Sequence, residues 1–158
     1  MNDELSVPVS VPLDADGFLR RKCPNCEEEF KWFSHAQGDS DAEQVDQYFC
    51  PRCGHGAGLD SWWTPAQLDY ASGTAAPAID DFINDALDDV FRGFRSSKHF
   101  EVTRTSRYSS ETPTPEPLHE PNDMVIVEPP CHPSEPVKVP EDATGRVHCL
   151  VCGSPFAA

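Results

Sequence analysis

The 158-residue sequence is short of positive charge: 12 Lys and Arg stand against 27 Asp and Glu, a formal net charge of −15. Coating a nucleic acid requires clustered Lys and Arg, so general phosphate binding is disfavoured. Apolar residues are scarce as well, at 38% against the roughly 45–50% usual in globular domains, a range that also counts glycine. One large enzyme core is therefore not expected from a chain of this length. No apolar run approaches the roughly 18 residues of a membrane span. Met1 to Asp16 is acidic, carries Pro8 and Pro12, and lacks the basic and apolar regions of a secretory leader, so a cytoplasmic location is expected. No glycine-rich phosphate loop, serine nucleophile elbow or His-Glu-x-x-His is present, which argues against an enzyme. The many aspartates do not form an EF-hand loop, which needs its fixed glycine.

What the chain has in plenty is proline, 16 in all, and cysteine, 7 in all. Six of the cysteines form three Cys-x-x-Cys pairs: Cys23/Cys26, Cys50/Cys53 and Cys149/Cys152. Cys131 stands alone. In a reducing compartment such pairs read as metal ligands before they read as disulfides. Cys23, Cys26, Cys50 and Cys53 make the strongest set: two turns can place four thiolates tetrahedrally around one Zn²⁺, closing its shell and making it structural. Four free cysteines, or two local disulfides, are the alternatives. A thioredoxin-like dithiol is disfavoured, because no pair opens a helix in a βαβ setting.

The second set is incomplete. Cys149 and Cys152 form a knuckle, but the earlier half reads Cys131-His132-Pro133-Ser134, with serine where a fourth sulfur would belong. A fourth ligand would come from His132, His148 or elsewhere, although neighbouring residues rarely converge on one ion. A metal-free lobe, or a reactive three-cysteine site with an open water position, are the other readings.

Cys23-Pro24-Asn25-Cys26 followed by Cys50-Pro51-Arg52-Cys53-Gly54 resembles the zinc-ribbon and rubredoxin-like superfamily. The resemblance covers about a quarter of the chain. It implies small β-hairpins with two knuckles gripping a metal, zinc by preference with iron as a minor alternative, and it says almost nothing about activity. The expected fold is a small α+β arrangement. A flexible terminus (1–16) precedes a zinc ribbon (17–60) and a helical region (61–98). Next come a possible strand over 99–108 and a Pro/Ser/Thr-rich linker to 123, then a second ribbon-like lobe (124–158).

In the helical region, Thr64-Pro65 reads as an N-cap with proline in the first helical position, opening a short helix that runs toward Ser72-Gly73. Beyond it Ile79, Phe82, Ile83, Ala86, Leu87, Val90, Phe91 and Phe94 trace one helical stripe. Asp80, Asp81, Asp85, Asp88 and Asp89 lie on the other face, with Arg92 and Arg95 near the end, an order that suits the helix dipole. Internal packing of this stripe is the expectation, since a ribbon offers little core. Left free, Phe82, Phe91 and Phe94 would instead bind a partner. Trp62 and Trp63 are read as packing the helix onto the ribbon or, failing that, as a partner surface. His35, His55, His99 and His119 are scattered and read as surface residues. Glu27 to Glu29 and Asp80-Asp81 read as solvated faces.

These features lead to an expected function: a non-catalytic zinc-ribbon adaptor or regulatory protein that binds another protein. Two alternatives remain. One is nucleic-acid binding through Arg20, Arg21, Lys22, Lys31 and Arg52 with stacking by Trp32 and Phe33. The other is rubredoxin-like electron transfer on iron. An acidic mimic of nucleic acid is a third, weaker reading.

Overall fold

The computed structural model describes residues 4–94 and 99–158. Arg95, expected near the helix end, and Met1–Asp3 lie outside the described residues. The chain divides into two compact units, one of residues 11–67 and 118–158, the other of residues 1–10 and 68–117.

The first unit is built from four antiparallel hairpins. β1 (Phe18–Lys22) pairs with β2 (Glu29–Phe33), and β3 (Gln47–Phe49) with β4 (Gly56–Gly58). β5 (Val125–Val127) pairs with β6 (Val137–Val139), and β7 (Val147–His148) with β8 (Pro155–Phe156). The aromatic and β-branched runs flanking the cysteines thus form the strands that their composition favours. β2 also pairs with β6, giving one four-stranded sheet in the order β1-β2-β6-β5. Residues on either side of the proline-rich stretch therefore share a single sheet.

Strand alternation gives that sheet two unlike faces. One carries Phe30, Trp32, Val127, Val137 and Val139 into the core, together with Trp62, Val147 and Leu150. Trp62 is fully buried, its ring edge-on to Phe30 at 5.7 Å and to Trp32 at 6.4 Å. Trp63 is partly exposed, and the Arg21 guanidinium lies between the two indoles of Trp32 and Trp63, 4.4 Å from each centroid. Cation–π attraction thus substitutes for a carboxylate partner, and burial lowers the Arg21 pKa to about 10.

The other face is charged yet buried. Lys31 and Lys138 are opposite each other on β2 and β6, and both are fully buried. Lys31 Nζ reaches Asp14 at 3.1 Å, Glu120 at 2.9 Å and Asp123 at 3.1 Å. Lys138 Nζ reaches Asp14 at 2.8 Å, Asp16 at 2.6 Å and Asn122 Oδ1 at 2.6 Å. Arg20 joins them, bonding Glu29, Glu120 and Asp123 at 2.6 to 3.0 Å. The segment 118–123 is consequently held down on the sheet by ion pairs. Charges buried this way are tolerable only when fully paired.

Thr64 and Gln67 form the capping box that opens the helix α1 (Pro65–Gly93). The Gln67 amide donates to Thr64 Oγ1 at 3.2 Å, and Thr64 N–H donates to Gln67 Oε1 at 3.1 Å. The expected stop at Ser72-Gly73 does not occur: one 29-residue helix runs through both that dipeptide and Pro77. Proline at 77 lacks the N–H that would bond the Gly73 carbonyl and crowds that same carbonyl. Gly73 is the residue with the least side chain to add to that crowding, and Pro115 packs 3.0 Å from where a Cβ would stand.

Most of α1 belongs to the second unit, where two further expectations are corrected. The apolar stripe is covered only in part: Ile83 and Phe91 are half-buried, but Ile79, Phe82, Leu87, Val90 and Phe94 are exposed. The strand expected over 99–108 does not form, since residues 101–123 contain neither helix nor strand. Within this unit the stretch is nevertheless anchored, on the polar side of the helix. Asn84, almost fully buried, accepts from Tyr108 N–H at 2.7 Å and from the Arg104 guanidinium, and its amide donates to the Tyr108 carbonyl at 2.9 Å. Arg104 also meets Asp88 at 2.8 Å, and Ser110 bonds Asp80 at 3.1 Å. Asp80 and Asp88 therefore anchor this stretch as well as being solvated.

Among the described residues, no helix is long and apolar enough to cross a membrane.

Candidate metal centres

Cys23 to Cys26, Cys50 to Cys53 and Cys149 to Cys152 adopt the same backbone turn. In each the first cysteine's N–H donates to the carbonyl five residues on: Cys23 to Glu28 at 3.0 Å, Cys50 to His55 at 2.8 Å, Cys149 to Ser154 at 2.9 Å. The residue after the second cysteine donates back to the first cysteine's carbonyl at 2.8 to 3.0 Å, from Glu27, Gly54 and Gly153. That residue has a left-handed φ of 60°, 77° and 73° respectively. The turn also aims amides at sulfur. Asn25 N and Cys26 N lie 3.3 and 3.4 Å from Cys23 Sγ, and Arg52 N lies 3.3 Å from Cys50 Sγ. Such donors stabilise thiolate, the form that binds metal.

The turns bring two sets of ligand atoms together, and within each set all lie within 4.8 Å of one another. In the first, Cys23 and Cys53 sulfurs are 3.7 Å apart and Cys26 and Cys50 sulfurs 3.8 Å apart. Thiolates at 2.3 Å from a tetrahedral zinc would be separated by about 3.8 Å, so the spacing fits. In the second, Cys131 and Cys152 sulfurs are 3.5 Å apart, and Cys149 Sγ is 3.4 Å from His132 Nδ1. A mixed sulfur–nitrogen edge of the same tetrahedron is shorter, about 3.5 Å. All seven cysteines are free thiols, and these separations are far beyond the ~2.05 Å of a disulfide. Both groups are sets that could hold a metal ion.

His132, and not His148, completes the second set. The adjacency objection fails because Cys131 and His132 do not sit on a Cys-x-x-Cys turn. Their loop has its own bonds, from His132 N–H to the Pro129 carbonyl at 3.3 Å and from Glu135 N–H to the His132 carbonyl at 3.1 Å. His148 serves elsewhere. Its N–H donates to the Pro51 carbonyl at 2.9 Å, while the Phe49 N–H donates to the Leu150 carbonyl at 2.8 Å. Those two bonds are reciprocal: in each, the residue before a first cysteine meets the residue after the other first cysteine. The ring contacts match: a Cβ at Gly54 would meet the His148 ring at 3.0 Å, and one at Gly153 the Phe49 ring at 2.9 Å. The turns of the two centres are thus joined about a local two-fold relation.

Electrostatics explains why each group calls for a cation. Burial pushes the Cys50 thiol far up and the Cys149 thiol up to about 12. Burial also raises Cys53, but the His55 amide and the neighbouring sulfurs and Asn25 outweigh it, bringing the thiol down to about 7. The Ser154 hydroxyl, then its amide, bring Cys152 to about 6 against a desolvation cost. Adjacent sulfurs so close cannot all ionise alone, and a divalent ion removes the conflict by making every thiolate favourable.

The partner-surface residues are more dispersed. Trp62 is inside the core and only Trp63 shows a face; Phe82 and Phe94 are exposed and Phe91 is half-buried, its ring 6.3 Å from Phe94. Of the basic residues invoked for nucleic acid, Arg20 and Lys31 are ion-paired within the chain, and Arg52 lies 3.6 Å from Glu28. No protein-family model, curated protein or solved structure matches the chain.

Proposed function

We propose that the chain is a non-catalytic zinc protein, holding one Zn²⁺ on Cys23, Cys26, Cys50 and Cys53 and a second on Cys131, His132, Cys149 and Cys152, and acting by binding another protein in the cytoplasm. The observation that carries this reading is that each group supplies four ligand atoms of its own at tetrahedral spacing. Four protein ligands close the zinc shell, leaving no position for a water or substrate, which is the signature of a structural ion. Zinc bound there would tie hairpins together in a unit with little apolar core, supplying folding free energy on the order of ten kcal/mol per ion. The chain's own part is the amide–sulfur cradle, which orients each thiolate and keeps it ionised.

The nucleic-acid reading is weaker, because its cations are spent on internal partners. Iron at the four-cysteine centre stays as the competing metal. Native mass spectrometry with elemental analysis of protein purified without added metal tests the proposal. Two zinc ions per chain and a colourless solution are expected. A red, reversibly bleached solution with iron at the first centre, or a folded chain with neither ion, would overturn it.

A further inference from the structure

We propose that the open face of α1 between Ile79 and Phe94 is a docking surface for a basic, amphipathic helical segment of another protein. The inference rests on the adaptor reading above and names the chemistry of the partner.

Ile79, Phe82, Val90 and Phe94 are 43%, 42%, 58% and 57% exposed. Spaced by three, eight and four residues, with Ala86 between, they form a continuous ridge over four turns. Residues 103–109 lie beside Leu87 and Phe91, and residues 104–110 are pinned by Asn84, Asp80 and Asp88, an arrangement that leaves Ile79, Phe82, Val90 and Phe94 exposed. The chain has therefore secured its ionic flank and left its apolar ridge open, the reverse of what folding alone would favour.

Beside the ridge is a pocket of about 420 Å³ lined by Glu4, Leu5, Phe82, Asp85, Ala86 and Asp89. Its apolar walls come from Leu5, Phe82 and Ala86, and its polar groups are three carboxylates. Of these, only Asp89 has an ion-pair partner among the described residues, the exposed Arg92 at 2.9 Å. A lysine or arginine fits such a pocket: its aliphatic stem lies on Phe82 and its cationic head meets Glu4 and Asp85. A leucine one turn away would cover Val90. Residues spaced this way belong to a helix with apolar and basic positions on one side. A second copy of this chain is the wrong occupant, because it would bring the same carboxylates face to face at a net charge of −15 each.

The test uses the metal-loaded full chain and two synthetic helical peptides of identical leucine pattern, one with lysine at every polar position and one with glutamate. Binding is followed by isothermal titration calorimetry. The leucine–lysine peptide is expected to bind and the leucine–glutamate peptide not. Phe82→Ser with Val90→Ser should weaken binding at least about tenfold at unchanged helicity, and Asp85→Asn should flatten its salt dependence. Equal binding of both peptides, or affinity indifferent to the Phe82→Ser and Val90→Ser pair, would overturn the proposal. A dimer in sedimentation that this pair dissociates would overturn it in favour of self-association. Metal content is measured on the same samples: a stoichiometry other than two zinc ions sinks the zinc reading and leaves the peptide result to stand or fall separately.

Discussion

Lys31 and Lys138 are cross-strand neighbours whose ammonium groups converge on a single oxygen, Asp14 Oδ2, at 3.1 and 2.8 Å. Two like charges this close and this buried persist only because Asp14 lies between them, with Asp16, Glu120 and Asp123 around the outside. The cluster therefore joins β2 to β6, and with them the two cysteine-bearing regions.

Replacing Asp14 by asparagine should cost about 3–5 kcal/mol at neutral pH, the usual result of stranding a buried charge. Burial raises the Asp14 carboxyl, but Lys138, the Phe18 amide and Lys31 outweigh it and hold the group well below the usual carboxylate range. A depressed folded value means the contribution is complete above about pH 4 and fades as pH falls. The gap between native and Asp14→Asn proteins in urea unfolding should thus be full at pH 7 and narrow below pH 4.

His35 should show the opposite slope. It lies 3.1 Å from Asp39 and 2.9 Å from Glu135. Desolvation lowers its pKa, but Asp39 and Glu135 prevail and raise it. Its stabilising contribution is complete below about pH 6.5 and is lost as pH rises through the raised value. A His35→Gln variant should match the native protein more closely at pH 9 than at pH 6 in thermal melts.

His132→Ala should reduce zinc from two ions to one per chain, while His148→Ala keeps both and only lowers the melting temperature. Native mass spectrometry distinguishes the two. Equal metal loss in both variants would contradict the ligand set.

Gly54→Ala and Gly153→Ala should each destabilise the protein by roughly 1–3 kcal/mol, through a left-handed φ and a collision with the His148 or Phe49 ring. Glu27 occupies the equivalent position at φ 60° with a side chain open to solvent. Glu27→Gly should consequently cause no loss and a gain of up to about 1 kcal/mol. Denaturant midpoints of the three variants provide the comparison.

Asn84→Ala should free residues 104–110 from the helix, since four of their hydrogen bonds and ion pairs converge on that side chain or its neighbours. Limited trypsin digestion should then cut after Arg104 and Arg107 markedly faster than in the native chain, with the metal content unchanged.

Much of this was legible in the residues. Cys-x-x-Cys turns are local: four consecutive residues and a following left-handed residue, Glu27 or Gly54, contain the whole amide–sulfur geometry, so Cys23, Cys26, Cys50 and Cys53 could be read as one set. The capping role of Thr64 was visible for the same reason. The stop at Ser72-Gly73 was misread because Gly is a preference and not a terminator, and here Pro77 and Pro115 leave room for little else at 73. Asp14, Glu120 and Glu135 gave no signal, since an acidic residue looks solvated until its partner is known, and Asp14 meets Lys138 across 124 positions.

The spacing of cysteines along the chain determined that each Cys-x-x-Cys turn could present its sulfurs as metal ligands, because ligand geometry within a turn is set by covalent distance. Only the tertiary structure decided which histidine completes the second set and that β2 and β6 pair within one sheet. It also decided that Arg20, Arg21 and Lys31 of β1 and β2 are engaged by partners within the chain while the α1 ridge is exposed. Each of those outcomes depends on which distant segments come into contact, and long-range pairing is settled by packing and charge satisfaction that no local pattern encodes.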